Sequence, residues 1–161
     1  MSKATDKATV IKLLNAARAS ELTAIMQYMA HHYELEDADY GKLAKSMKEI
    51  AIEEMKHAEA LAERILFLGG KPTTQPDGKV KSGQAMPDML KTDIALEAGA
   101  VARYNASAMD CAKAGDHTSK QLFQQLLRDE EAHLDVFQNV QGHLEQLGNV
   151  YLATLAGGEA E

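Results

Sequence analysis

Residues 69–85 read GGKPTTQPDGKVKSGQA, and the whole architecture turns on them. Two of the chain's three prolines, Pro72 and Pro76, lie here and the third, Pro87, follows at once. Proline lacks an amide donor and glycine leaves φ free, so no helix passes through this segment. On both sides the chain is rich in Ala, Leu, Glu, Lys, Gln and Met, which lose little side-chain freedom in a helix, and apolar residues recur at three and four. Leu13, Leu14, Ala17, Ala24, Ile25, Tyr28 and Met29 form one stripe, interrupted by Glu21. Ile50, Ile52, Met55, Leu61, Ile65 and Leu68 form another, stopped by Gly69-Gly70. Two shorter punctuations, Glu36 to Gly41 and Ala114 to His117, read as turns. The pattern predicts helices at about 6–36, 40–68, 86–113 and 117–147, a crossover at about 69–85 and a short C-terminal helix at about 149–156. That is an all-α, four-helix bundle with one long crossover, a single domain over 1–161. At about 3.3 Å per extended residue, the crossover spans a helix of about 28 residues.

Composition narrows the function. A chain of 161 residues, 45% hydrophobic, has enough material for one core. A net charge of −7 disfavours a nucleic-acid partner, whose phosphates call for a basic face. Cys111 is the only cysteine, so neither an intrachain disulfide nor a cysteine-rich metal site forms. No apolar run of about 18 residues and no leader pattern is visible, so the expectation is a cytoplasmic protein without membrane contact.

The chemistry lies in a repeated tetrapeptide. Glu54-Met55-Lys56-His57 and Glu130-Glu131-Ala132-His133 each put a carboxylate and an imidazole three residues apart, on one helical face. Each also has a glutamate 33 residues upstream, Glu21 and Glu97, so the triplet recurs after 76 residues. Two residues on an antiparallel hairpin are level when the turn lies midway between them. The midpoint of 21 and 54 falls in the acidic turn, and that of 97 and 130 against Ala114-Gly115. Glu21 and Glu97 sit among apolar neighbours and face the core. Four buried carboxylates repel one another unless cations lie between them. Two divalent ions neutralise the four charges, and one histidine per ion favours iron or manganese over structural zinc.

With these residues in view, the chain resembles bacterioferritin along nearly its whole length: Glu21 to Tyr28 (ELTAIMQY), Glu54 to Gly70 (EMKHAEALAERILFLGG), Asp93 to Glu97 (DIALE) and Leu127 to His133 (LRDEEAH). The resemblance implies a ferritin-like bundle with two irons per subunit. Glu21 and His57 would be terminal ligands of one iron, Glu97 and His133 of the other, and Glu54 and Glu130 would bridge. It places Tyr28 near the centre and makes Met55 the axial ligand of a haem b or related iron porphyrin shared between two subunits. Met26 and Met29 depart from the family's pattern beside the porphyrin, where Asn and an aromatic residue are expected, and Gly157-Gly158-Glu159 ends the last helix early. It further implies a homo-oligomeric 24-mer built from twofold dimers.

The expected function is iron storage. A ferroxidase would oxidise Fe2+ with O2 or H2O2 and keep ferric mineral in a hollow shell, with a ferredoxin-type reductant as a candidate partner. Asp129 and Asp135 near the second histidine, and Glu53 near the first, are candidate acceptors for the imidazole N–H groups, although a solvated role suits them better. His31, His32, His117 and His143 have no assigned partner, and the His31-His32 pair reads as a solvated helix terminus rather than an iron entry site. A rubrerythrin-like diiron peroxidase acting as a small oligomer is the alternative, but one cysteine cannot supply the four-cysteine iron domain usual in that group. A third reading, a DNA-protecting shell protein, is opposed by ligands paired within one bundle.

Overall fold

The computed structural model describes residues 3–158, so Met1, Ser2 and Glu159 to Glu161 of the expected domain lie outside the described residues. Five helices follow in order: α1 (Lys3–Asp37), α2 (Gly41–Phe67), α3 (Met86–Lys113), α4 (His117–Leu147) and α5 (Asn149–Leu155). The bounds of α3 and α4 coincide with the sequence reading, whereas α1 gains residues at both ends and α2 loses one at each.

Three helix ends close in the same way. Asp39, Gly69 and Gly115 take left-handed φ values of 63°, 81° and 74°. The amide one residue further on then reaches back to a carbonyl of the last turn: Tyr40 to Leu35, Gly70 to Ile65 and Asp116 to Cys111, each at 2.9 Å. These bonds satisfy carbonyls that the helix itself leaves free. Asp116 then opens α4, accepting from the Ser119 amide at 2.9 Å.

The crossover runs along α1 in the same direction, tied to it at successive turns. Thr73 N donates to Asn15 Oδ1, Asp77 N to Ala19 O, Lys81 N to Gln27 Oε1 and Gly83 N to Glu34 Oε1. The chain therefore reaches the far end of α1 before turning into α3, which packs antiparallel to α1. Partner numbers across α1 and α3 fall on one helix as they rise on the other: Tyr28 meets Glu97, and Glu21 meets Tyr104.

His31 and His32 are a correction to the sequence reading, because both are buried rather than solvated. His31 Nδ1 lies 3.0 Å from both carboxylate oxygens of Asp93, and His32 Nδ1 lies 2.7 Å from Ala44 O. α1 continues to Asp37, so these residues sit inside the bundle, where α3 and α2 cover them. His117 and His143 are exposed, the latter against the Tyr151 ring.

The apolar core is split in two along the bundle. One cluster gathers Leu14, Ala17, Leu61, Ile65, Tyr104 and Phe123, and the other Tyr28, Ala44, Met47, Leu90 and Phe137. Between them, at mid-height of all four long helices, is a layer of buried polar side chains. α5 folds back onto the second cluster through Leu155. Gly157 N then donates to Asp39 O at 2.8 Å, and the approach is so close that a Cβ on Gly41 would stand 2.6 Å from Gly157 O. No strand occurs among the described residues, and no helix among them is long and apolar enough to cross a membrane.

Candidate metal centre

The polar layer contains Glu21 from α1, Glu54 and His57 from α2, Glu97 from α3, and Glu130 and His133 from α4, all buried. They form two quartets, Glu21–Glu54–His57–Glu130 and Glu54–Glu97–Glu130–His133, each offering one ligand atom per residue, with the atoms within 4.8 Å of one another. Glu54 and Glu130 belong to both. Glu-x-x-His repeats supply this sharing, because i and i+3 side chains project from α2 and α4 onto the same inner face.

Each imidazole turns Nδ1 inward. His57 Nδ1 stands 2.8 Å from Glu54 Oε2 and 2.8 Å from Glu130 Oε1, and His133 Nδ1 stands 3.0 Å from Glu54 Oε1. Yet His57 Nδ1, Glu54 Oε2, Glu97 Oε2 and Glu130 Oε1 are all buried without a hydrogen-bond partner. Donor atoms that crowd together but are not aligned for hydrogen bonding are what a cation requires. Buried polar groups left in this state are costly unless an ion satisfies them.

The electrostatics agree. Burial pushes Glu21, Glu97 and Glu130 above the ordinary carboxylate range, and the neighbouring Glu54 charge adds to it. Burial also acts on Glu54, but the hydrogen bond from His133 and the close approach of the His57 ring outweigh it and lower its pKa. Burial alone would depress the imidazoles, yet the carboxylates crowded against each ring win, raising His57 strongly and His133 to about 9. Both upward shifts favour proton retention in a metal-free layer of like charges. Divalent ions replace those protons.

Nε2 of each ring points outward, and the partners correct the sequence reading. His57 Nε2 lies 3.0 Å from Asp129 Oδ2, while His133 Nε2 lies 2.6 Å from Glu53 Oε2. Asp129 was expected near the second histidine and Glu53 near the first. The antiparallel packing of α2 against α4 crosses them, so each half's acceptor serves the other half's imidazole. Asp135 instead accepts from Asn139 Nδ2 at 3.1 Å, away from both rings. Glu53 and Asp129 remain about half exposed, so each combines the solvated position with the acceptor role.

Tyr28 is buried and donates to Glu97 Oε1 at 2.5 Å. Tyr104, absent from the sequence reading, is equally buried and donates to Glu21 Oε1. The signal for it was present: Tyr104 stands 76 residues after Tyr28, the interval that relates the two ligand triplets. Met55 points away from the centre, about half exposed, into a surface groove of about 570 Å3 lined by Leu22, Ile25, Ile52 and Lys56 among others.

The model of the ferritin-like domain family matches residues 11–147. That is the class this fold and site define: a ferritin-like bundle enclosing a dinuclear metal site. Bacterioferritin of Desulfovibrio desulfuricans is 49% identical over 151 residues, covering 94% of this chain and 84% of the relative. The X-ray structure of the D. desulfuricans bacterioferritin, described with its diiron site in different catalytic states, superposes with a TM-score of 0.95 at 46% identity, covering 100% of this chain and 97% of that one. Rhodobacter capsulatus bacterioferritin, solved with a metal-free dinuclear site and with haem iron in a crystallographic special position, gives 0.89 at 39% identity over 96% and 98%. This chain belongs to the bacterioferritin family. It is an iron-storage ferroxidase.

Proposed function

We propose that Glu21 and His57 hold one Fe2+, that Glu97 and His133 hold the other, and that Glu54 and Glu130 bridge the pair. The observation that carries this is the set of buried, unpartnered donor atoms on Glu54, His57, Glu97 and Glu130. The two substrate ions give up one electron each to O2, which takes two protons and leaves as H2O2, or to H2O2, which takes two protons and leaves as two waters. Hard carboxylate oxygens favour Fe3+ over Fe2+ and so make the bound ions better reductants. Asp129 and Glu53 accept the Nε2 protons and thereby keep each Nδ1 lone pair turned inward. The apolar clusters above and below exclude bulk water. Negative net charge concentrates Fe2+ at the surface in a salt-dependent way.

The same reading takes 1–161 as one ferritin-like domain, located in the cytoplasm and assembled into a hollow 24-mer from twofold dimers. Exposed Ile52, Met55, Leu66 and Phe67 on α2 support burial against another copy. The Met55 groove suits a haem b or related iron porphyrin, since a thioether on an apolar floor is a soft axial donor. Met55 and its counterpart would hold the porphyrin between two subunits and supply an electron path to stored iron, fed by a ferredoxin-type reductant.

Native mass, haem content and oxygen uptake on Fe2+ addition test the whole reading. A large particle that binds haem, consumes oxygen and retains iron as mineral is expected. A small oligomer that oxidises Fe2+ without retaining it would overturn the storage function in favour of a peroxidase.

A further inference from the structure

We propose that Tyr104 is a positioning residue of the dinuclear centre, fixing Glu21 for its metal as Tyr28 fixes Glu97. The inference deepens the dinuclear reading above and rests on it.

Three observations carry it. First, both phenols are fully buried and each donates to the terminal carboxylate of a different quartet. Second, they occupy equivalent places. Tyr104 closes the apolar cluster at one end of the centre, its ring 5.6 Å from Phe123, and Tyr28 closes the other, 5.4 Å from Phe137. Third, the 76-residue relation holds at every ligand position, at both phenols and, as an acid, at the outer acceptors, but only in part in the packing around them. Glu21, Tyr28, Glu54 and His57 recur as Glu97, Tyr104, Glu130 and His133, and the outer acceptor Glu53 recurs as Asp129. The packing residues recur only in part: Leu14 returns as Leu90, but Met47 corresponds to Phe123 and Leu61 to Phe137. One turn beyond Tyr28, His31 corresponds to Ser107, and its partner Asp93 corresponds to Ala17.

A core position at this site needs only an aromatic ring, which phenylalanine supplies. The added hydroxyl is costly to bury unless bonded, and it is aimed at Glu21. One carboxylate oxygen of each terminal glutamate is thus engaged by a phenol, which fixes the rotamer and limits how that carboxylate approaches its ion. The two metal positions are thereby built alike, although they lie between differently packed cores.

The test uses Co2+, which does not undergo the ferroxidase reaction under anaerobic conditions, on the metal-free assembled protein. The parent is expected to bind two Co2+ per chain. In Tyr104→Phe one of the two should bind about tenfold more weakly, a change of about 1.4 kcal/mol, with an altered visible absorption for that ion alone. Tyr28→Phe should weaken the other ion, and the metal-free melting temperatures report packing separately. Tyr104→Phe binding both ions with the parent's affinity and spectrum overturns the role of Tyr104. A parent that binds no Co2+ overturns instead the dinuclear reading. If Tyr104→Phe does not fold, fluorotyrosine incorporated into the parent decides the matter by fluorine NMR. Addition of Zn2+ should shift two of the five tyrosine resonances, assigned to buried phenols by their insensitivity to a soluble paramagnet, and a shift of only one refutes the proposal.

Discussion

Because Glu54 and Glu130 belong to both quartets while each of the other four residues belongs to one, loss of stabilisation by metal should come in two sizes. A ligand that binds only the folded state stabilises it by about 2.7 kcal/mol at about a hundredfold excess over Kd, so two filled positions contribute about 5 kcal/mol. For a chain of this length, 1 kcal/mol moves the melting temperature by about 2–4 °C, which makes the full effect about 10–20 °C. Thermal denaturation with and without Zn2+, an ion that cannot be oxidised, measures it directly. Glu97→Gln should keep about half the increment, since the Glu21–Glu54–His57–Glu130 quartet is intact, and His57→Ala should keep the other half. Glu54→Ala should lose nearly all of it. Glu97→Gln without metal should melt no lower than the metal-free parent, because burial and the Glu54 and Glu130 charges already oppose ionisation of Glu97. Equal increments in Glu54→Ala and Glu97→Gln would refute the shared-carboxylate geometry.

Three further outcomes are expected. His31→Leu should cost about 3–5 kcal/mol in chemical denaturation by stranding the fully buried Asp93, and His31→Leu with Asp93→Leu should recover most of that loss. Burial tends to raise the Asp116 pKa, but its hydrogen bonds from Ser119 and the charge of Arg64 win and lower it. Its contribution is therefore present above the unfolded carboxylate value of about 3.9 and fades as pH falls through the lower folded value. Asp116→Ala should cost about 1 kcal/mol at neutral pH and progressively less in acid, as read from urea midpoints across pH. Burial pushes the Cys111 thiol up to about 11, so iodoacetamide should leave it unmodified at pH 8 in the folded protein and alkylate it once unfolded.

The helices, the crossover and the meeting of Glu21, Glu54, His57, Glu97, Glu130 and His133 in one layer were legible in the sequence because all depend on local periodicity and on turn positions. Apolar spacing, Pro72, Pro76 and paired glycines set the element bounds, and the 33-residue interval fixed which carboxylates stand level within each hairpin. Neither requires knowing how one hairpin sits on the other. What crosses between hairpins was decided only by tertiary packing. The α2–α4 register sends Asp129 to His57 and Glu53 to His133, opposite to the pairing that nearness in sequence suggests. The α1–α3 register brings Tyr104 onto Glu21 and hides His31 against Asp93. Hydrogen bonds act over about 3 Å, and a shift of one residue between helices moves a side chain about 1.5 Å along the axis and about 100° around it. Composition and spacing do not encode that register. The interlocking of side chains from both hairpins does.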